Sequence, residues 1–327
     1  MSDIKLFRLA AGQATELQGD ASDLERPLQT LIEKNLDPLL GIRFLASEYA
    51  TGKTHGGRID SLGLDENDCP VILEYKRSVG ENVINQGLFY LDWLMDHQAE
   101  FKLLVMERLG KAAADQIDWS APRLICIAAD FTKYDGHAVQ QINRNIELIR
   151  YRRFGDDLLL LELANSASAG SAKSMKGSKA PKAVKELAEP AAQAKAAGTD
   201  KTVAEFLATM PDPLTVLLAS LEDYVFSLGD DVQRKELKLY IAFKRLKNFA
   251  TVVPQKGRLL LYLHLDVDQI PPPPGIGRDV RQQGHWGTGD MELSLTKAAD
   301  LDVAKPLILQ AYEGRAALAS PLGPATP

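Results

Sequence analysis

Asp60 and Glu74 are fourteen positions apart, and the midpoint, Asn67, falls in a polar run (Asp65, Glu66, Asn67, Asp68) between two apolar-rich segments, 58–64 and 71–76. Read as a β-hairpin, this spacing sets the two carboxylates across from each other on neighbouring strands, with their side chains on one face. Lys76, two residues beyond Glu74, joins that face by strand alternation. Ile59, Leu62, Leu64, Val71, Ile72 and Leu73 make the corner partly dry. Two carboxylates in such a corner repel, and both stay ionised only if a cation lies between them. A hard divalent ion, Mg²⁺ or Mn²⁺, meets that need, because it accepts one or two carboxylates and keeps positions for water and a phosphate oxygen. The chemistry within reach is phosphodiester hydrolysis: the ion acidifies water and polarises phosphate, while the Lys76 ammonium offsets charge growing on the phosphorane. The competing reading makes Asp60 and Glu74 ordinary solvent-face residues. The symmetric spacing, the apolar run around Glu74 and the helix that follows favour the site.

The elements that must hold this group can be read in outline. Leu24, Leu28, Leu31, Ile32 and Leu36 mark one face of a helix. A strand is expected over 44–49, then the hairpin, then a helix over 82–97 that puts Gln86 and Tyr90 on one face, four residues apart. Strands are expected over 102–106, 123–128 and 158–163, with helices over 110–117 and 136–148. This is an α/β fold: a mixed sheet flanked by helices with an antiparallel hairpin inside it.

The series Asp60, Glu74-Tyr75-Lys76 and Gln86-x-x-x-Tyr90 resembles the PD-(D/E)xK restriction-endonuclease-like superfamily. The text GGRIDSLGLDENDCPVILEYKR, residues 56–77, is similar in particular to the NucS or mismatch-endonuclease branch, and the similarity covers roughly residues 22–163. The resemblance implies a restriction-endonuclease-like sheet, a metal-dependent endonuclease acting on DNA in repair or defence, Asp60 and Glu74 as metal ligands, and Lys76 as the catalytic lysine. It also implies that Gln86 and Tyr90 face the nucleic acid and that a first-helix Glu assists the metal; Glu33 is the candidate and Glu25 its rival. Ile59 stands where the superfamily's usual Pro would be, and only about twenty residues precede the first helix. Mismatch specificity is therefore not carried over. Arg58, Arg77 and Lys53 are candidate phosphate contacts, whereas Arg150, Arg152 and Arg153 read as the face of an edge strand.

Residues 166–200 are rich in Ala, Ser, Gly, Lys and Pro and read as a flexible linker between a nuclease-like domain, 1–165, and an accessory domain, 201–315, with a disordered tail over 316–327. The accessory domain reads as a small α+β unit: helices over 203–210 and 213–228, strands over 240–243, 259–265 and 291–295, and a helix over 303–312. It resembles a family sometimes labelled a predicted transport protein, on the strength of residues 244–266 and 275–295. No apolar run is long enough for a membrane helix, and that label is set aside. Lys244, Arg245, Lys247, Lys256 and Arg258, with Phe249, Tyr262 and Trp286, are weighed as a single-strand grip, against a core role for Phe249 and Tyr262.

The chain has 327 residues and a net charge of −6. Its acidic surplus lies in 1–165, where 26 acidic residues face 18 basic ones. That excludes indiscriminate coating of nucleic acid but not a local groove. Two cysteines, Cys69 and Cys126, and no signal-like N-terminus place the protein in the cytoplasm by expectation. The expected partner is DNA, with no membrane; RNA as substrate, a homodimer, and a nuclease fold that binds without cutting all stay open.

Overall fold

The computed structural model describes residues 4–19, 25–52, 56–76, 83–167 and 202–314. After a separate two-stranded hairpin, β1 (Leu6–Ala10) and β2 (Gln13–Leu17), come α1 (Glu25–Lys34), α2 (Leu36–Leu40), β3 (Ile42–Ala50), β4 (Arg58–Asp65) and β5 (Pro70–Lys76). Then follow α3 (Val83–Asp96), α4 (Gln98–Leu109), α5 (Lys111–Gln116), β6 (Arg123–Ala128), α6 (Lys133–Gln140), β7 (Asn145–Phe154) and β8 (Leu158–Ala167). The strands from β3 to β8 form one six-stranded sheet in chain order. β5, β6 and β7 run parallel and the other pairs antiparallel. This is the expected mixed α/β architecture.

Strand alternation divides its core in two. Val71, Leu73, Tyr75, Ile125 and Ile127 pack on one face against Leu28, Ile32, Leu36 and Leu40 of α1 and α2. Ile72, Leu124, Cys126, Ile146 and Leu148 pack on the other against Tyr90, Trp93, Phe101 and Val105 of α3 and α4. The first helix breaks at Asn35, and Gly41, in the left-handed region, closes α2. β3, at the sheet edge, carries a bulge between Phe44 and Ala46 and holds Glu48 at φ 53.

Three expectations from the sequence are corrected. Residues 102–106 lie in α4: only Phe101 and Val105, four apart, are buried, while Leu103 and Met106 face solvent. A short apolar run fits either period, and here the helical one wins. The helix expected over 136–148 ends at Gln140, and its second half opens β7, whose Ile146 and Leu148 are buried. The basic run at 150–153 does not lie on an edge, because β7 runs between β6 and β8. Arg150 is buried and reaches Asp130 and Glu162.

The second unit contains α7 (Val203–Thr209), α8 (Asp212–Ser227), β9 (Gln233–Glu236), β10 (Ile241–Lys244), β11 (Asn248–Gln255), β12 (Arg258–Leu263), β13 (Gly277–Asp279), β14 (Met291–Leu295) and α9 (Ala298–Tyr312). Its sheet, ordered β13-β14-β12-β11-β10-β9, is antiparallel throughout. Leu217, Leu221 and Val225 of α8 and Leu301, Ala304 and Ile308 of α9 cover the apolar side chains of β11, β12 and β14. Phe249 and Tyr262 are buried, and so is Lys244. The proposed single-strand grip therefore loses one of its three lysines and two of its three aromatics to the interior. Residues 168–201 and 315–327, which hold most of the expected linker and all of the tail, lie outside the described residues. No helix among the described residues is long and apolar enough to cross a membrane.

His264 gives a pH prediction. Its ring lies under the loop bearing Thr288, with Nε2 2.9 Å from the Thr288 hydroxyl. Burial, opposed by Asp290 and aided by Lys247 and His285, lowers its pKa from 6.5 to about 4. Between those values the unfolded chain holds the extra proton, so stability falls as pH drops from 6.5 towards 4. Urea unfolding at pH 7 and pH 4.5 should show His264→Gln escaping a penalty of up to about 3 kcal/mol. Equal acid losses in both proteins would refute this assignment.

Candidate functional site

The β4–β5 register pairs Ser61 with Leu73, Leu62 with Ile72, Gly63 with Val71 and Leu64 with Pro70. One step further along this register, Asp60 faces Glu74. Two hydrogen bonds tie the pair: the Tyr75 amide donates to Asp60 Oδ2 at 2.9 Å, and the Asp60 amide donates to Glu74 Oε1 at 3.3 Å. Each carboxylate is thus fixed by the backbone of the opposite strand.

Glu74 is fully buried on the sheet face shared by Ile72 and Cys126. Its Oε2 is buried without a hydrogen-bond partner. Burial above all, then the charge of Asp60, pushes its pKa up to about 9, with Lys76 acting in the opposite sense. A carboxylate oxygen stranded against a second carboxylate is costly unless a proton or a cation meets it. Asp60 and Glu74 therefore suit a hard divalent ion, with Lys76 half-buried at the end of the same strand.

Glu33 is placed differently. Its Oε1 lies 2.6 Å from Ser61 Oγ and accepts from Gln29 Nε2 at 3.0 Å. Ser61 Oγ is also 3.3 Å from the Tyr75 hydroxyl, on the α1 face of the sheet. Among the described residues no group of three or more His, Cys, Asp or Glu side chains is arranged to hold a metal, so Asp60 and Glu74 stand as a pair. Gln29 Nε2 also donates to the Asp60 carbonyl at 2.8 Å, so α1 grips the β4 backbone at the position that matters.

Gln86 and Tyr90 do meet at this end of the hairpin. The Tyr90 hydroxyl accepts from the Arg58 amide at 3.1 Å, and Gln86 Nε2 lies 3.4 Å from it. They line a cleft of about 460 Å³ with Arg26, Gln29, Glu48, Arg58, Asp60 and Tyr75. Arg58 is well exposed and its Nε pairs with Glu48 at 2.6 Å. Phosphate at Arg58 must therefore compete with that carboxylate. Gly57 sits against the Tyr90 ring, and a Cβ there would come within 2.5 Å of it. Arg77 and Lys53 lie outside the described residues, as does the Glu25 side chain. Sequence reasoning missed Arg26, Gln29 and Glu48. The Arg26 and Gln29 spacing on α1 is an available signal; Glu48 has none, since its approach depends on the left-handed kink in β3.

Residues 203–314 match the family model of a domain of unknown function, DUF5655. An uncharacterized protein of Haemophilus influenzae is 29% identical over 325 residues, spanning 95% of this chain and all of that protein. A repair endonuclease from Pyrococcus abyssi aligns with a TM-score of 0.26 and 19% identity over 40% of this chain and 48% of its own. The structure of a complex of EndoMS with dsDNA aligns with a TM-score of 0.23, also at 19% identity and the same coverage. This chain thus spans about half the length of those two structures.

Proposed function

We propose that this protein is a divalent-metal-dependent nuclease acting on DNA, with Mg²⁺ or Mn²⁺ held by Asp60 and Glu74. The observation that carries the reading is the buried, unpartnered Glu74 Oε2, on a carboxylate whose other oxygen accepts from the Asp60 amide. When bound, the ion supplies Lewis acidity to a phosphate and lowers the pKa of water. The chain's own residues do the rest. Backbone amides of Tyr75 and Asp60 hold one oxygen of each carboxylate, so the donor pair is set before any ligand arrives. Lys76 places a cation beside Glu74, where it offsets charge that builds on a reacting phosphate. Tyr90 fixes the backbone at Arg58, and Arg58 and Gln86 offer donors along the cleft wall.

The burial of Glu74, which pushes its pKa up to about 9 and so favours its protonated form where no ion is bound, also supports a second reading, a nuclease fold that binds nucleic acid without cutting it. Incubation with Mg²⁺ or Mn²⁺ and labelled single-stranded, nicked, branched and mismatched DNA, with RNA in parallel, separates the two. Cleavage of DNA that chelation stops supports the enzyme; no cleavage of any substrate under either metal refutes it. Within the enzyme reading, Lys76→Ala should lower cleavage on the order of 10²-fold and leave the Mn²⁺-induced rise in melting temperature intact. Loss of both would make the lysine structural.

A further inference from the structure

The polar turn of the β4–β5 hairpin is not a solvated loop. Asp65 is fully buried: its Oδ1 accepts from the amides of Asn67 and Cys69 at 2.9 Å each, and its Oδ2 accepts from Arg123 Nη1 at 2.9 Å. Arg123, buried at the start of β6, also forks onto Glu147 of β7, with Nε and Nη2 at 2.8 and 2.9 Å from its two oxygens. The same Glu147 oxygens accept from Lys244 Nζ of the second unit at 3.1 and 3.0 Å. Burial alone would raise Glu147, yet Arg123 and Lys244 hold it well below the carboxylate range.

The next two turn residues touch the second unit directly. Glu66 Oε1 accepts from the Asn248 amide at 2.5 Å. Asn67 Oδ1 accepts from Asn248 Nδ2 at 2.7 Å and from the Tyr240 hydroxyl at 3.0 Å. Lys235 Nζ donates to the Ala121 carbonyl at 3.2 Å and lies 3.9 Å from Asp65.

The geometry points to Asp65, Glu66 and Asn67 as a seat for the second unit, making Tyr240, Lys244 and Asn248 positioning residues that lock the β4–β5 register. That register decides the site. Asp60 stands five residues, about 17 Å of strand, from the seat. A one-residue slip would turn every side chain of one strand to the other face and separate Asp60 from Glu74. Leaving the seat would strand Glu147 and Asp65 with incomplete charge partners in the interior, which opposes any hinge-like departure. Where it concerns activity, the inference rests on the nuclease reading.

Hydrogen–deuterium exchange on the full chain tests it. Lys244→Met should raise amide exchange in β4 and β5 about tenfold while β12 and β14 keep their protection, and Lys244→Arg should restore the parent pattern. If Lys244→Met does not fold, Tyr240→Phe, which removes one hydroxyl, should give a smaller rise confined to the same strands. Parent-like exchange in β4 and β5, or a uniform rise across both sheets, would overturn the proposal. In cleavage assays the same variants should lose kcat with KM unchanged; a KM effect alone would assign the second unit to substrate binding instead. Exchange that changes as expected in a protein that cuts nothing would leave the seat standing and remove the nuclease.

Discussion

Asp60→Ala should lower metal-dependent DNA cleavage on the order of 10³-fold, about 4 kcal/mol in the barrier, while the protein remains folded. The side chain is only partly buried, and the Tyr75 amide that donates to it lies near the end of the strand pair, where water can replace it. The loss should therefore be one of chemistry rather than of structure. Removing Asp60 also removes one of the charges that raise Glu74, so the remaining carboxylate should ionise more readily while offering half the donor set. The check is a Mn²⁺ titration followed by both cleavage and melting temperature. Asp60→Ala should lose the metal-induced rise as well as the cutting. Retention of cleavage within tenfold of the parent would place the metal, or the reaction, elsewhere.

Arg123→Met should destabilise the protein by about 3–5 kcal/mol. Arg123 is 1% exposed and is the direct cation for Asp65 and one of two for Glu147. Methionine fills much of the volume but leaves Asp65 buried with Lys235, at 3.9 Å, as the remaining cation near its Oδ2 among the described residues. The measurement is the urea midpoint of the full chain at constant slope. Glu147→Met combined with Arg123→Met should cost less than the sum of the single changes, since each deletion alone strands the other's partner. A loss below 1 kcal/mol for Arg123→Met would mean that water reaches the cluster and that the buried charges are not mutually dependent.

The site was legible where its geometry follows from a local rule. An antiparallel hairpin pairs residues symmetrically about its turn, so the indices of Asp60 and Glu74 are enough to oppose them, and Ser61 with Leu73 confirms the same centre. Gln86 and Tyr90 followed from the helical period. The rest depends on contacts without a local signature. Glu66 and Asn67 read simply as part of a polar turn because their partners, Tyr240 and Asn248, come 173 to 182 positions later. Lys244 read as a surface cation for the same reason, its partner being a glutamate in the other unit. Residues 102–106 and 145–148 were misread because short runs of Leu, Ile and Val satisfy either period; burial by neighbouring elements decides between them, and that burial is tertiary information.

The bulge and left-handed Glu48 in β3 have a consequence away from the cleft. A strand that kinks between Phe44 and Ala46 and again at Glu48 does not present the straight ladder of amides and carbonyls that an incoming chain would need. The irregular backbone that brings a carboxylate to Arg58 thus also discourages edge-to-edge self-association at that border. Straightening β3 would carry two penalties at once, a stickier protein and a misplaced acid.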